Sequence, residues 1–409
     1  MKPVVCNHWR VAGGSVGSSC LRAARSTTVM GVARAEMDFL SLTVMTSVWF
    51  ERAVVPFSLE PEVWPPGSMR CRDGARSVDI CEFHKKIKFF LKLVKIDFVA
   101  LTEDQLRQFI DAEAAFQALE VARQQAAEVR GSMFWRAVKG QDYLIRATTG
   151  AKQQSLGARS SETEELQRQF AQRKSGTKNR VKQLAAAVAR HQRLNRALRV
   201  GRAPNVLAKI LDALQSHGVS EHFMVVGTHA LYAYEAAAGV RITPEALATQ
   251  DVDLLFDTRR RLAFFSRLAL DDVSLLQVLR KADRSFALRN DQKQTAVNDK
   301  GFEVDIIRRA ARDGDPHPLR MSHHADDLWA VQVHSGDAML GAARFSQIVV
   351  ATDGSMARLT TMAPRSFVKL KQQLSKSASR DPRKRSKDAQ QASIVQVLLK
   401  GGGLRASPG

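Results

Sequence analysis

The pattern of apolar and polar positions becomes regular at Thr102 and predicts a long helix over residues 103–128. Apolar residues recur there at steps of three and four, which places them on one side of a helix: Leu106, Phe109, Ala112, Phe116, Leu119, Ala122 and Ala126. Thr102 is a residue type that caps helix N-termini. The pattern next predicts a hairpin at residues 142–157 and a second long helix at 162–198, with a break near Gly176. A third helix is predicted at 204–216.

A different pattern begins at residue 223. Residues 223–226 are a short apolar run that ends at Gly227-Thr228, and residues 231–238 are amphipathic, so we predict a strand, a tight turn and a helix. Further elements follow from the same reasoning: strands at 251–256, 285–288, 295–297, 302–307, 339–355 and 358–360, and helices at 258–268, 364–378 and 386–399.

Carboxylates interrupt two of these apolar strands. Asp251 and Asp253 lie two apart, so they project from the same side of the strand, and Asp305 follows on a later strand. Like charges side by side on an apolar strand are costly unless a cation lies between them, and oxygen ligands suit Mg²⁺. Taken alone, the pair is more consistent with a solvated strand end. A turn at Gly227 that allows close approach to a phosphate favours a site.

The order of these motifs resembles the nucleotidyltransferase fold, the superfamily built around the DNA polymerase β palm. It is most similar to bacterial AbiEii-type and minimal nucleotidyltransferase-like proteins, over roughly residues 207–399. The motifs that carry the resemblance are Gly-Thr-His-Ala at 227–230, Thr-Gln-Asp-Val-Asp at 249–253, a late Pro-x-x-x-x-x-Leu-Lys at 364–371 and a basic run ending Lys-Asp at 388. The resemblance implies an α+β fold, with a mixed sheet and flanking helices, preceded here by a region of long helices.

The resemblance also implies roles for single residues. Asp251, Asp253 and Asp305 would hold two Mg²⁺ ions, with a nucleoside triphosphate (NTP) as the substrate. Asp305 would alternatively serve as the general base. Gly227 and Thr228 would bind the β- and γ-phosphates. Two lysines are candidates for neutralising the departing pyrophosphate, namely Lys371 and, less directly, Lys387.

Several neighbouring residues receive structural interpretations instead. Gly227 and Asp251 are 24 positions apart, a long insertion that would argue for a degenerate site if it displaced the turn from the aspartates. His229 is expected to pack or cap, and Asp257 to cap a helix or turn. The adjacent pair His323-His324 is typical of a solvent-exposed loop, so we do not assign it to a metal site.

Composition adds a basic character. The chain of 409 residues carries a net charge of +21, which favours a polyanionic partner, with RNA or DNA as the first expectation. No acidic residue occurs from 166 to 211, where twelve lysines and arginines fall. No apolar run is long enough to span a membrane, and none has the form of a signal peptide. The four cysteines lie within the first 81 residues in no zinc-binding spacing, so we expect a cytoplasmic protein.

These observations predict five segments. Residues 1–97 are expected to be an unstructured or mis-annotated extension, 98–215 a helical region with a small hairpin, 216–310 the nucleotidyltransferase core, 311–400 the last strands with basic helices, and 401–409 a disordered tail. The function expected is transfer of a nucleoside monophosphate (NMP) from an NTP to an acceptor hydroxyl, with RNA favoured as the acceptor. An inactive nucleic-acid-binding module on the same fold and a helix-mediated interaction protein are the alternatives, and the sequence leaves the oligomeric state open.

Overall fold

The computed structural model describes residues 98–148, 153–312 and 314–404, all of which lie in one compact unit, Val94–Gly409. The predicted extension over residues 1–97, with its four cysteines, lies outside the described residues, as do residues 405–409.

The helices of this unit run in chain order from α1 to α10. Their bounds are α1 Glu103–Glu128, α2 Ser161–Ala197, α3 Asn205–Ser216, α4 Leu231–Ala238, α5 Pro244–Leu247, α6 Arg261–Asp271, α7 Leu275–Ala282, α8 Gly336–Leu340, α9 Pro364–Lys376 and α10 Pro382–Lys400. Single turns of 3₁₀ helix precede β5, α4 and α6, at Ser220–His222, Gly227–Ala230 and Thr258–Arg260.

Fourteen strands are present among the described residues. They are β1 Phe98–Ala100, β2 Ser132–Val138, β3 Gln141–Ala147, β4 Gln153–Ala158, β5 Phe223–Val226, β6 Val240–Ile242, β7 Asp251–Phe256, β8 Ala287–Leu288, β9 Thr295–Val297, β10 Glu303–Arg308, β11 Leu319–Arg320, β12 Trp329–Gln332, β13 Arg344–Val350 and β14 Met356–Met362.

The central sheet is mixed. Its main path runs β11-β12-β10-β7-β5, and β9 pairs with β10 while β8 pairs with β9. β7 and β10 are parallel neighbours, and β5 lies antiparallel to β7. A mixed sheet with flanking helices confirms the predicted α+β class.

Both faces of this sheet are buried, which explains why its strands read as near-continuous apolar runs. Alternate residues of β7 divide between two cores: Val252 and Leu254 enter the first, which α3 and α7 cover. Leu255 enters the second, which α4, α9 and α10 cover. Asp251 and Asp253 alternate in phase with Leu255, so they face the second core's side.

The two long helices form a pair outside the sheet. Thr102 and Ser160 are the N-caps of α1 and α2, and each forms a capping box with the residue three positions later. Glu120 of α1 ion-pairs with Arg358 of β14 at 2.5 Å. The buried Asn195 of α2 accepts from Gln108 and donates to the Gly354 carbonyl. These bonds attach both helices to the hairpin β13–β14.

Several predictions differ from this fold. α2 continues without a break through Gly176, because one exposed glycine costs a helix only about 1 kcal/mol. The predicted two-stranded hairpin is a three-stranded sheet, β2-β3-β4. β6, for which no element was predicted, forms within the long insertion between Gly227 and Asp251 and pairs with β1. Leu404, in the segment predicted as a tail, is buried in the second core. Within the described residues, no helix combines the length and apolar character needed to cross a membrane.

Candidate active site

Four carboxylates lie near the start of the two central parallel strands, and one of them, Glu303, is ion-paired with Arg289 at 2.7 Å. The register of β7 and β10 pairs Asp253 with Asp305 and Asp251 with Glu303. Register partners on neighbouring strands project from the same side of a sheet, as do residues two apart on one strand. All four side chains therefore lie on one side. Parallel pairing thus brings Asp305 next to Asp253, although 52 positions separate them in the chain.

Burial makes this cluster electrostatically strained. Asp251 is exposed, whereas Asp253 and Asp305 are partly buried. Burial raises the pKa of Asp253 to about 7, the charges of Asp251 and Asp305 add to this increase, and Lys371 opposes it. Burial also raises the pKa of Asp305. The carboxylates therefore create a concentrated negative charge that a bound cation would stabilise.

The turn at Gly227 lies directly against Asp253. β5 ends at Val226, the register partner of Asp253, and Gly227 follows with a φ of +69°. A Cβ at position 227 would lie 2.6 Å from Asp253 Oδ2, so only glycine permits this approach. The long insertion before Asp251 therefore does not displace the turn from the aspartates.

Two threonine hydroxyls orient the outer carboxylates. Thr295 of β9 is the register partner of Asp305 and donates its hydroxyl to Asp305 Oδ1 at 2.5 Å. This hydrogen bond opposes the rise in the pKa of Asp305. Thr249 donates its hydroxyl to Asp251 Oδ1. Both bonds limit the rotation of the carboxylate they contact.

One face of α10 closes the site. Residues three, four and seven apart share a helix face, and this face carries Lys384, Lys387, Asp388 and Gln391. The buried Gln391 donates to Thr228 Oγ1 at 3.1 Å and to the Ala246 carbonyl at 2.8 Å. Lys387 donates to the Ala248 carbonyl at 2.6 Å. Burial lowers the pKa of Lys387, and the charge of Asp251 opposes this decrease, so Lys387 contributes positive charge beside Asp251.

Lys371 was predicted to neutralise the departing pyrophosphate, but in the structure its ion-pair partner is Asp388. It is buried, and its Nζ lies 2.7 Å from Asp388 Oδ1. Arg380 contacts the other oxygen of Asp388. Burial lowers the pKa of Lys371, Asp388 opposes this decrease most strongly, and Asp253 opposes it less. The positive charge of Lys371 is thus shared between Asp388 and the carboxylate cluster.

His229 and Asp257 have the structural roles expected of them. The His229 ring packs against Tyr232 and Phe302 with centroids 5.8 Å apart in both cases. Burial lowers the pKa of His229 to about 4, so the ring is neutral at neutral pH. Asp257 accepts from the Arg259 backbone N–H at 3.1 Å at the start of a 3₁₀ turn.

Sequence reasoning missed four residues that lie in or contact this site. Glu303 gave no signal, because its place beside Asp251 depends on strand register. Thr295 gave no signal, because its partnership with Asp305 depends on strand register. Gln391 gave none either, because its contacts with Thr228 and Ala246 are long-range. Asp388 had one available signal, since it is the single carboxylate that ends the basic run from Arg383.

Comparison with known proteins supports the predicted class of fold. Residues 205–401, just under half of the chain, match the model of a family described as nucleotidyltransferase. This segment contains the central sheet, the carboxylate cluster and the helices that cover them. The match confirms the predicted nucleotidyltransferase fold. The general function that the match supports is nucleotidyl transfer, with a nucleotide as substrate. No curated protein and no solved structure matches the chain.

Proposed function

We propose that this protein is a Mg²⁺-dependent nucleotidyltransferase that moves an NMP from an NTP onto an acceptor hydroxyl. The observation that carries the proposal is the convergence of Asp251, Asp253 and Asp305 on one side of β7 and β10, against the Gly227 turn. The family match over residues 205–401 supports the reaction class.

The donor set fits hard divalent cations. Three aspartates supply oxygen ligands of the kind Mg²⁺ prefers, and the absent side chain of Gly227 leaves Asp253 Oδ2 uncovered on that side. Asp251, Asp253 and Asp305 would hold two Mg²⁺ ions. When bound, the ions neutralise phosphate charge and stabilise the attacking and leaving oxygens of an in-line displacement.

The remaining roles follow from position. Asp305 either completes the metal site or accepts the proton of the attacking hydroxyl, and the hydrogen bond from Thr295 fixes its orientation for both. The turn over Gly227 and Thr228 would bind the β- and γ-phosphates, with Gln391 orienting the Thr228 hydroxyl. Lys387 and Lys371 supply positive charge around the cluster and would stabilise the departing pyrophosphate.

The proposed acceptor is RNA. The support is the charge of α2, on which nine lysines and arginines are exposed, while acidic side chains occur only in its first five residues. These basic residues are Arg168, Arg173, Lys174, Lys178, Arg180, Lys182, Arg190, Arg193 and Arg196. A surface of this kind attracts a phosphate backbone independently of its sequence. We propose that residues 98–215 hold the acceptor while residues 216–310 supply the catalytic core.

A labelling experiment tests the proposal. The full chain is incubated with each NTP labelled at the α-phosphate, with cellular RNA or protein as acceptor, and with Mg²⁺ or EDTA. We expect Mg²⁺-dependent labelling of RNA that falls at least about 100-fold in Asp251→Asn, since even groups that only support metal ligands contribute 10- to 100-fold. Asp111→Asn, an exposed change on α1, is the charge-matched control.

The outcomes separate the candidate functions. Label on protein instead of RNA would retain the transferase and overturn the acceptor. Absence of label with every NTP, while RNA still binds with strong salt dependence, would favour the non-catalytic nucleic-acid-binding module.

Substitution of Gly227 tests whether the turn must approach Asp253. In Gly227→Ala the new Cβ would collide with Asp253 Oδ2 and displace this carboxylate. We expect the rate of transfer to fall at least about 100-fold, because a displacement of a reacting group by about 1 Å can have this effect. The matched control is Gly140→Ala in the β2–β3 turn, where φ is +80° and no atom lies within 4 Å of the new Cβ. Both variants should lose about 1–2 kcal/mol of stability from the positive φ. Equal activity in the two variants would contradict the proposed placement of the turn.

A further inference from the structure

A second cluster of metal-binding residue types lies away from the carboxylate site. Asp272 follows the last residue of α6, and His323 and His324 lie in the connection between β11 and β12. One ligand atom from each residue lies within 4.8 Å of the other two. Sequence reasoning left these histidines as an exposed loop pair, because Asp272 is about 50 positions away.

The three atoms converge at a spacing typical of a shared metal. Asp272 Oδ1 lies 3.3 Å from His323 Nε2 and 3.7 Å from His324 Nε2. Two ligands bound tetrahedrally to a Zn²⁺-sized ion at about 2.0–2.1 Å are about 3.3–3.4 Å apart. The two imidazole rings lie side by side, with centroids 4.2 Å apart and a tilt of 31°. Both Nε2 atoms therefore lie close to the same carboxylate oxygen.

Hydrogen bonding does not satisfy His324 within this cluster. His324 Nε2 is buried and has no hydrogen-bond partner among the described residues, although Asp272 Oδ1 is near. A buried ring nitrogen without a partner is costly, and such a group requires an explanation. A metal ion bound between the nitrogen and the carboxylate would satisfy both.

The surrounding fold holds the three residues in place. The buried Asp327 accepts from the backbone N–H groups of Leu275 and Leu276, both at 2.9 Å, which ties the histidine loop to the start of α7. Asp272 has a φ of +48°, a conformation that aspartate tolerates better than most residues. It also lies at the C-terminal end of α6, where the helix dipole favours a cation.

We propose that Asp272, His323 and His324 bind one divalent transition metal ion of the Zn²⁺ class, with the remaining coordination position open to water. Two imidazole nitrogens and one carboxylate oxygen select such ions over Mg²⁺, which prefers oxygen ligands alone. This site is chemically distinct from the carboxylate cluster and does not depend on the proposed transferase activity.

Titration of the metal-free full chain with Co²⁺ tests the site, because tetrahedral Co²⁺ absorbs visibly and reports its ligands. Excess Mg²⁺ is present throughout to occupy oxygen-only sites. The test variants are His323→Ala, His324→Ala and Asp272→Asn, the last of which keeps a residue that tolerates positive φ. The matched controls are His334→Ala and Asp326→Asn, which alter exposed residues of the same types.

Wild type and both controls should bind the same number of Co²⁺ ions, and each test variant should bind one fewer, with affinity at that site reduced at least about 100-fold. Unchanged stoichiometry and spectrum in the three test variants would overturn the proposal by placing the metal elsewhere, and absence of Co²⁺ binding by the wild type would overturn it directly.

Discussion

Asp253→Asn is expected to reduce nucleotidyl transfer at least about a thousandfold, which corresponds to about 4 kcal/mol of transition-state stabilisation. Asp253 is the central member of the cluster, flanked by Asp251 on its own strand and by Asp305 on the next. Asparagine keeps the shape of the side chain but removes the charge that would hold Mg²⁺. Single-turnover transfer rates at saturating Mg²⁺ and NTP measure the effect.

The same substitution should stabilise the metal-free fold. Because the pKa of Asp253 is raised to about 7 from a usual value near 4, the folded state holds its charged form at a cost. The free energy of unfolding of the wild type therefore falls as the pH rises from about 4 to about 7, and the decrease is complete above pH 7. In EDTA at pH 8, Asp253→Asn should therefore gain about 1–3 kcal/mol in free energy of unfolding.

Thermal unfolding with and without Mg²⁺ separates the two effects of Asp253→Asn. The gain should be present in EDTA and should shrink or reverse with Mg²⁺, because the ion stabilises only the wild-type cluster. Asp111→Asn should change neither quantity. A variant that is less stable than wild type in EDTA at pH 8 would show that Asp253 has a structural role instead of a metal-binding one.

Asp388→Ala is expected to lower the free energy of unfolding by about 3–5 kcal/mol, because it leaves a buried ammonium without its partner. Asp388 and Lys371 are both nearly fully buried, and the bond between them joins α10 to α9. Arg380 is more exposed and can regain water after the change. Urea unfolding at neutral pH measures the loss.

The double variant Lys371→Met/Asp388→Leu is the control for that effect. Replacing a buried ion pair with apolar residues of similar volume is often nearly neutral, so the double variant should recover most of the lost stability. It should nevertheless transfer nucleotide more slowly than wild type, because the positive charge of Lys371 beside the carboxylates is gone. Equal destabilisation of the single and double variants would contradict the assigned role of this pair.

Local patterns predicted much of the secondary structure correctly. Thr102 capped the first long helix as expected, and α4 and α9 follow the predicted bounds closely. Alternation along a strand was sufficient to place Asp251 and Asp253 on one side. These predictions succeed because helix caps, side-chain periodicity and strand alternation depend on residues only a few positions apart.

Predictions failed where the structure depends on distant partners. β6 forms inside the insertion between Gly227 and Asp251 because β1 pairs with it, and β2 forms because β3 pairs with it. The run over residues 275–282, an amphipathic helix in the structure, was missed because only two turns carry its pattern. Short segments of this kind take their conformation from tertiary packing.

The sequence by itself determined the Asp-x-Asp pair and the glycine turn, because each depends on local residue order. It indicated the class of fold through the resemblance of its motif order to the nucleotidyltransferase fold. Only the tertiary structure decided that Asp305 pairs with Asp253, that Gly227 contacts Asp253 across the 24-position insertion, and that Lys371 is bound to Asp388. It alone brought Asp272 to His323 and His324. Strand register and helix packing set these distances, and both result from contacts between residues far apart in the chain.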